Sequence, residues 1–163
     1  MTFVRLGLLS DTHDNLPSLQ GAVSAFKERG VEHVLHAGDI TTPATLERFA
    51  GWDTTAIFGN NDLDREALLR SAKRAGVNLD NGWEGFLGGI RLAMLHGDNR
   101  SRLNRAIVSG HFRLVVTGHT HRLRDELVGN TRVINPGALY RAARHTCVVY
   151  DTNTDLAEVV DVK

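Results

Sequence analysis

Five short polar motifs, each placed directly after a short apolar run, most constrain how this chain can fold. In chain order they are Asp11-Thr12-His13, Gly38-Asp39, Gly59-Asn60-Asn61-Asp62, His96-Gly97 and Gly118-His119-Thr120-His121. Short apolar runs with β-branched residues are typical of buried strands. Each motif is therefore predicted to lie at the C-terminal end of a strand, where residues distant in sequence converge on one edge of a sheet.

The first half of the chain alternates predicted strands with predicted helices. Apolar runs predict strands at 4–9, 33–36 and 54–58, and the helical spacing of apolar residues predicts helices at 15–29, 43–50 and 65–75. This alternation is typical of parallel βαβ units.

The second half of the chain is richer in predicted strands. They lie at 83–87, 90–95, 114–117, 123–128, 132–134, 147–150 and 156–162, with one helix at 102–109. Glycine-containing turns at 88–89 and 129–130 predict hairpins, so we expect a second, largely antiparallel sheet. We predict an α/β (α+β) fold of two mixed sheets packed face to face between helices, in four αββα layers. The absence of any linker predicts a single domain over residues 1–163.

The charge balance argues against a general binder of polyanions. Basic and acidic residues number 19 each, whereas proteins that bind long nucleic acid usually carry a basic excess. Arg100, Arg102 and Arg105 form one local basic cluster. This cluster is either the solvated face of a helix or a positive field near a phosphate-binding site.

Cysteine usage and hydropathy bear on the expected environment. The single cysteine, Cys147, lies in an apolar run and cannot form an internal disulfide, which fits a reducing compartment and predicts an inert core thiol. No apolar run approaches the roughly 20 residues that span a bilayer. The apolar start of the chain is predicted to be a strand rather than a signal peptide. We expect a cytoplasmic protein without membrane contact.

Each motif has a simpler structural interpretation when it is taken alone. Asp11 and Asp39 are both suited to capping a following helix, residues 59–62 are rich in turn formers, and a lone histidine after a strand is commonly a hydrogen-bonded core residue. Five such coincidences at the same position in the fold are harder to explain than one shared site. The side chains together offer carboxylate, amide and imidazole ligands, a mixture that suits Mn²⁺, Fe, Zn²⁺, Co²⁺ or Ni²⁺.

The order of these motifs resembles that of the calcineurin-like metallophosphoesterase superfamily. Chain length and spacing look most like its small, single-domain bacterial and archaeal phosphodiesterase branch, and Asn135-Pro136-Gly137 continues the match. The resemblance implies a hydrolase in which a water or hydroxide that bridges two divalent ions attacks a phosphodiester. Mn²⁺ is the metal that the resemblance favours.

The resemblance also implies which residues hold the ions. The first ion would be held by Asp11, His13, Asp39 and His121. The second would be held by Asp39, Asn60, His96 and His119, so that Asp39 bridges both. The predicted catalytic residues are His96, Asn60 and Asp39.

Residues around these ligands receive supporting roles. Asp62 is expected to orient His13 or Asn60 by hydrogen bonding. His36 either supports the ligands or is a hydrogen-bonded core residue. Candidate substrate contacts are Asn61, Gly97 and Gly137, and the expected substrate is a small phosphodiester or nucleotide. The oligomeric state is left open.

Two departures from the family pattern matter for function. Larger superfamily members carry a histidine that assists the departing alcohol, whereas this chain has Asn61, which cannot donate a proton as an acid. After Gly137 the chain also departs from the small branch, and Arg141 and Arg144 there either reach the substrate or lie on the surface. A non-catalytic scaffold and a nucleotide-binding module are the alternative functions, and the complete ligand set favours the enzyme.

Overall fold

The computed structural model describes residues 2–162 as two β-sheets flanked by helices. The strands within these residues are β1 (Arg5–Leu9), β2 (His33–His36), β3 (Asp53–Ile57), β4 (Val77–Asp80), β5 (Trp83–Leu87), β6 (Ile90–Met94), β7 (Leu114–Val116), β8 (Arg124–Val128), β9 (Thr131–Asn135), β10 (Thr146–Asp151) and β11 (Leu156–Asp161). The helices are α1 (Leu16–Glu28), α2 (Pro43–Glu47), α3 (Arg65–Ala75) and α4 (Arg100–Val108).

Both sheets are mixed, as predicted. The larger sheet has the order β11-β10-β1-β2-β3-β4, with β1 to β4 parallel to one another. The smaller sheet has the order β5-β6-β7-β9-β8, in which β6, β7 and β9 are parallel and the two hairpins are antiparallel. The expectation of a largely antiparallel second sheet is wrong. Helix α4 makes the crossover that parallel pairing of β6 and β7 requires, and β10 and β11 join the first sheet.

Three apolar layers hold the sandwich together. Leu8 packs in the core between the two sheets, whereas its neighbour Leu9 packs in the core between the larger sheet and α1 to α3, as the alternation of side chains along a strand requires. Helix α4 covers the smaller sheet, with Ile107 against Val115. These layers confirm the predicted αββα order. Cys147 lies fully buried under the helices, and burial raises the pKa of its thiol to about 12, which fits the inert core thiol that the sequence predicts.

Most predicted elements are present, with ends displaced by a few residues, but one strand was missed. Strand β4 is short, carries two polar residues and pairs only with β3 at the sheet edge, so its sequence gives little strand signal. Helix α4 begins at Arg100, two residues before its predicted start, because the Asn99 side chain accepts a hydrogen bond from the Arg102 N–H at 3.0 Å. Among residues 2–162, no helix is long and apolar enough to cross a membrane.

Candidate metal centre

The loops after five parallel strands bring the predicted metal ligands together at one edge of the sandwich. The larger sheet contributes Asp11 and His13 after β1, Asp39 after β2 and Asn60 after β3. The smaller sheet contributes His96 after β6, and His119 and His121 after β7. The position at strand ends that the sequence predicts is therefore the position that the fold uses.

The backbone of this edge is strained. Five of the seven predicted ligands have positive φ angles: Asp11 (52°), His13 (42°), Asp39 (57°), His119 (69°) and His121 (57°). Residues with a side chain rarely adopt this left-handed region, and such strain clusters at functional sites, where the surrounding structure enforces it. The loops are therefore shaped to aim particular side chains rather than to give the lowest local energy.

The first cluster consists of Asp11, His13, Asp39 and His121, and one ligand atom from each lies within 4.8 Å of the others. His13 Nε2 is 3.2 Å from Asp39 Oδ2, and His121 Nε2 is 3.3 Å from Asp11 Oδ1. Both carboxylates are almost fully buried. Two carboxylates and two imidazoles directed at one point form a donor set suited to a divalent cation.

The second cluster is centred on the amide oxygen of Asn60. His96 Nε2 lies 2.9 Å from Asn60 Oδ1, and His119 Nδ1 lies 3.0 Å from the same oxygen. His96 Nε2 is also 3.5 Å from Asp39 Oδ1. Asp39 therefore directs one oxygen to His13 in the first cluster and the other to His96 in the second.

Buried polar atoms that lack a hydrogen-bond partner indicate whether these residues fit a metal. Within residues 2–162, Asp11 Oδ1 and His13 Nε2 are buried and have no hydrogen-bond partner. Burial raises the pKa of Asp11 and lowers the pKa of His13. A buried carboxylate without compensation is costly, whereas a cation satisfies both a carboxylate oxygen and a neutral imidazole nitrogen. The donor set therefore fits a divalent ion.

Further hydrogen bonds hold the ligands in position. The Ser10 hydroxyl and the His119 N–H both donate to Asp11 Oδ2, at 2.5 and 3.0 Å. His96 Nδ1 lies 2.7 Å from the Ala37 carbonyl oxygen. When Nδ1 carries the proton for that bond, Nε2 presents a lone pair to the site.

Gly38 explains why a glycine precedes Asp39. Its φ is +99°, and a Cβ atom at this position would lie 2.6 Å from His96 Nδ1 and 2.9 Å from the Gly59 nitrogen. The loops after β2, β3 and β6 can approach one another only because this side chain is absent.

Asp62 is buried beside the ligands, but it does not make the contacts that the sequence interpretation expected. Its carboxylate accepts hydrogen bonds from three backbone N–H groups, those of Asp39 (3.1 Å), Thr41 (2.6 Å) and Gly59 (2.7 Å). In the described chain it forms no hydrogen bond with the His13 or Asn60 side chains. Asp62 thus joins the loops after β2 and β3 through their backbones.

His36 is fully buried and holds the loop that carries Asp39. Its Nδ1 accepts a hydrogen bond from the Gly38 N–H at 3.2 Å, which leaves Nε2–H to donate to the Thr12 hydroxyl at 3.0 Å. Burial lowers the pKa of His36 to about 3, so its imidazole is neutral. Thr12 also donates to the Asp39 carbonyl oxygen, at 3.3 Å. The two sequence interpretations of His36 are therefore compatible, because the same buried hydrogen bonds support the ligand loops.

Asn61 contacts Asp39 in this structure. Its backbone N–H donates to Asp39 Oδ1 at 2.9 Å, and its side-chain amide donates to Oδ2 at 2.8 Å. Burial acts to raise the pKa of Asp39, but these two donors and the imidazoles of His96 and His13 outweigh it and hold the pKa below its ordinary value. Asn61 is exposed, so its position still borders the space open to a substrate.

The predicted substrate contacts Gly97 and Gly137 border two neighbouring cavities at the centre. Gly97 borders a cavity beside His119, and Gly137 borders a cavity beside His121. Both have positive φ, +108° and +84°. Their backbones shape the two approaches to the ligands.

The two arginines after Gly137 have different surroundings. Arg144 pairs with Asp161 at 2.6 Å. The Arg141 guanidinium lies 5.2 Å from the centre of the Tyr140 ring, and the Arg141 carbonyl oxygen is 3.4 Å from His121 Nδ1. Both arginines line the cavity beside His121, where the charge of Arg144 is already paired with Asp161.

The sequence interpretation missed three residues that support the site. Tyr140 packs against His13, with ring centroids 4.9 Å apart, and Ser10 donates to Asp11. Asn135, which the sequence analysis noted only as part of the Asn135-Pro136-Gly137 motif, donates to the Gly118 carbonyl and the Thr120 hydroxyl at 2.8 and 3.0 Å. The motif Asn135-Pro136-Gly137 was a usable signal for Asn135, whereas Tyr140 follows no pattern that would reveal its contact.

Comparison with known proteins agrees with this geometry. The family model of the calcineurin-like phosphoesterase superfamily domain matches residues 4–155. The phosphodiesterase MJ0936 of Methanocaldococcus jannaschii is 34% identical over 140 residues, which cover 82% of this chain and 83% of that protein.

Two solved structures share the architecture. A novel archaeal phosphodiesterase superposes with a TM-score of 0.91 at 30% identity, over 97% of this chain and 99% of that one. The phosphoesterase YfcE of E. coli superposes with a TM-score of 0.68 at 18% identity, over 98% and 100% of the two chains, which supports the fold alone. The motifs, the four-layer fold and the sequence match together show that this chain belongs to the calcineurin-like phosphoesterase superfamily.

Proposed function

We propose that this metal-dependent phosphoesterase hydrolyses phosphodiester bonds with two divalent ions held on either side of Asp39. The observation that carries the proposal is the position of the Asp39 carboxylate, whose two oxygens face different imidazoles, His13 at 3.2 Å and His96 at 3.5 Å. The relative named a phosphodiesterase supports the choice of diesters.

In this proposal Asp39 is the shared ligand, and Asn61 holds its carboxylate plane through two hydrogen bonds. Asp11, His13 and His121 complete the first position, and Asn60, His96 and His119 complete the second. When bound, the ions supply Lewis-acid polarisation of the phosphoryl group and lower the pKa of the attacking water. The Ala37 carbonyl holds His96 through Nδ1, so His96 would serve the reaction by keeping Nε2 directed at the second position, where the ion would stabilise charge that develops on the phosphoryl group.

The exposure of the ligands indicates where the substrate enters. Asp11 and Asp39 are buried, whereas Asn60, Asn61 and His119 are exposed. A phosphodiester therefore approaches from the side of the second position. The amide of Asn61 offers N–H groups but no acidic proton, so the leaving alcohol departs without an acid from this residue.

We further propose that Mn²⁺ is the working metal, that the substrate is a small phosphodiester or nucleotide, and that residues 1–163 act as one domain in the cytoplasm. The mixed nitrogen and oxygen donors support Mn²⁺, although Fe, Zn²⁺, Co²⁺ and Ni²⁺ suit the same donors. To rank these metals, metal-free protein is reloaded with each ion separately and its turnover rate is measured. Mn²⁺ is expected to give the highest rate.

The first test is hydrolysis of bis(p-nitrophenyl) phosphate by metal-free protein and by protein reloaded with Mn²⁺. We expect turnover that requires the metal and disappears again on chelation. Metal binding without turnover would instead favour the scaffold alternative. Tight nucleotide binding without hydrolysis would favour the nucleotide-binding module.

A second test uses a series of diesters and monoesters with leaving groups of increasing pKa. Because Asn61 supplies no acidic proton, the rate is expected to fall steeply as the leaving group becomes more basic, and alkyl monoesters should react slowest. Equal rates across the series would contradict this role of Asn61.

A further inference from the structure

A cavity of about 610 Å³ opens beside His119, between helix α4 and the segment that connects β7 to β8. Its side-chain walls include Arg100, Leu103, His119, Arg122, Leu123 and Arg124. We refer to these six residues as the His119 cleft. Because His119 also contacts Asn60 at 3.0 Å, the cleft begins at the second metal position.

The His119 cleft is strongly cationic. Three guanidinium groups line it, and no described residue in its lining is a carboxylate. Arg124 is paired with Glu126. Arg100 and Arg122 form no ion pair with any residue from 2 to 162. Two guanidinium groups without counterions in a concave surface attract an anion, and their planar donor pairs suit phosphate oxygens.

Apolar side chains strengthen this effect. Leu103 is half-buried and Leu123 is 41% exposed, and both line the same cleft. Apolar walls reduce the screening of the arginine charges by water. They also provide a surface on which the organic part of a ligand can pack.

The structure separates Arg100 from its neighbour in the sequence cluster. Arg105 lies on the same helix but lines a different cavity, together with Trp83 and Phe112. The basic cluster that the sequence shows is therefore not one surface. Arg100 borders the cleft at the metal centre, whereas Arg105 faces away from it.

We infer that the preferred substrates are phosphodiesters that carry a second phosphate on the arm lying in the His119 cleft, where Arg100 and Arg122 bind that phosphate. The inference rests on the proposed function, because the scissile phosphorus must lie at the metal centre. A group attached to that phosphorus on the side of His119 would enter the cleft that the two arginines line. The neutral overall charge of the chain fits a short substrate better than a long polyanion.

The test compares three dinucleotides with Mn²⁺ present: one unphosphorylated, one with a 5′-phosphate and one with a 3′-phosphate. We expect kcat/KM for one of the phosphorylated forms to exceed that for the unphosphorylated form by roughly 10-fold or more, the size expected of a charge-assisted hydrogen bond. Rising ionic strength should reduce this preference. No preference for either phosphorylated form would overturn the inference.

Arginine variants test whether Arg100 and Arg122 cause the preference for a phosphorylated dinucleotide. Arg100→Ala and Arg122→Ala are each expected to reduce the ratio of kcat/KM between the preferred and the unphosphorylated dinucleotide by about 10-fold. The matched control is Arg105→Ala, which removes the same charge from the same helix and should leave the ratio at its wild-type value. An unchanged ratio in the Arg100→Ala, Arg122→Ala double variant would overturn the inference, and thermal unfolding verifies that all variants are folded.

The chromogenic diester separates this inference from the proposed function. If wild-type protein with Mn²⁺ fails to hydrolyse bis(p-nitrophenyl) phosphate, the proposed function itself is contradicted. If it hydrolyses that diester but shows no dinucleotide preference, only the role of the His119 cleft is overturned.

Discussion

The two proposed metal positions differ in how far their donor atoms are satisfied by the protein itself. In the first position, Asp11 Oδ1 and His13 Nε2 are buried and unpartnered within residues 2–162. In the second, Asn60 Oδ1 lies within hydrogen-bonding distance of both His96 and His119, and Asn60 and His119 are exposed to solvent. Burial leaves Asp11 Oδ1 and His13 Nε2 without a hydrogen-bond partner that a cation would replace, whereas in the second position the His119 imidazole can donate to Asn60 Oδ1 and water reaches the exposed side chains.

This difference assigns different tasks to the two positions. The first is expected to bind its ion more tightly and to stabilise the fold. The second is expected to exchange its ion more readily and to meet the substrate, because its residues face solvent and the His119 cleft. Asp39 belongs to both positions, so its loss should weaken metal binding at both and remove the difference in affinity between them.

The largest expected effect is therefore that of Asp39→Ala. We expect kcat/KM for bis(p-nitrophenyl) phosphate to fall by more than about 100-fold, since residues that only orient metal ligands already cost 10- to 100-fold. Steady-state kinetics at saturating Mn²⁺ measure this loss. Undiminished metal-dependent activity would contradict the assignment of Asp39.

The next effect concerns Asp62, whose carboxylate accepts three backbone hydrogen bonds. Asp62→Ala leaves three N–H groups without this acceptor, so the free energy of unfolding should fall by on the order of 3 kcal/mol. Because the loops carrying Asp39 and Asn60 lose their connection, Mn²⁺ affinity should also fall by about 10- to 100-fold. Urea denaturation and metal titration measure the two quantities.

Asp64→Ala is the matched control for Asp62→Ala. Asp64 caps α3 by accepting a hydrogen bond from the Ala67 N–H at 3.0 Å, so its removal should cost about 1 kcal/mol of stability. It makes no hydrogen bond to the ligand loops in the described chain, and Mn²⁺ affinity should stay unchanged. If both variants weaken Mn²⁺ binding equally, Asp62 acts through general stability only.

The smallest effect is expected far from the metal centre, at Asp155. Burial acts to raise the pKa of Asp155, but the Tyr150 hydroxyl at 2.5 Å and the guanidinium groups of Arg113 and Arg132 outweigh it and lower the pKa. A lowered folded-state pKa gives stability that is present above the ordinary carboxyl value and is lost as the pH falls through the folded value. In Asp155→Asn, the free energy of unfolding should therefore decrease less steeply than in the wild type as the pH falls below about 4. Urea unfolding midpoints measured from neutral to acid pH give this pH dependence. The same pH dependence in the variant and the wild type would contradict the role of Asp155.

The sequence predicted the positions of the candidate ligands better than it predicted the contacts that support them. Asp11, His13, Asp39 and the three histidines of the smaller sheet were readable because each follows a strand, and strand ends meet at one edge. The backbone contacts of Asp62 and the packing of Tyr140 on His13 were not readable, because they depend on how loops distant in sequence pack against one another.

The same reason explains the errors in the fold. Strand β4 is recognised through its pairing with β3, because its residues alternate apolar and polar over only four positions and Asn78 and Asp80 are poor strand formers. Strands β10 and β11 follow the smaller sheet in the sequence but pair beside β1, with Gly7 opposite Val149. Local pattern identifies a strand, whereas the choice of its neighbour depends on burial that only the whole fold defines.

The measurement that tests the account most directly is calorimetric titration of metal-free protein with Mn²⁺, for the wild type, His13→Ala and His119→Ala. We predict two binding steps in the wild type, loss of the tighter step in His13→Ala and loss of the weaker step in His119→Ala. A single step in the wild type, or weakening of the same step by both variants, would contradict two positions that share Asp39.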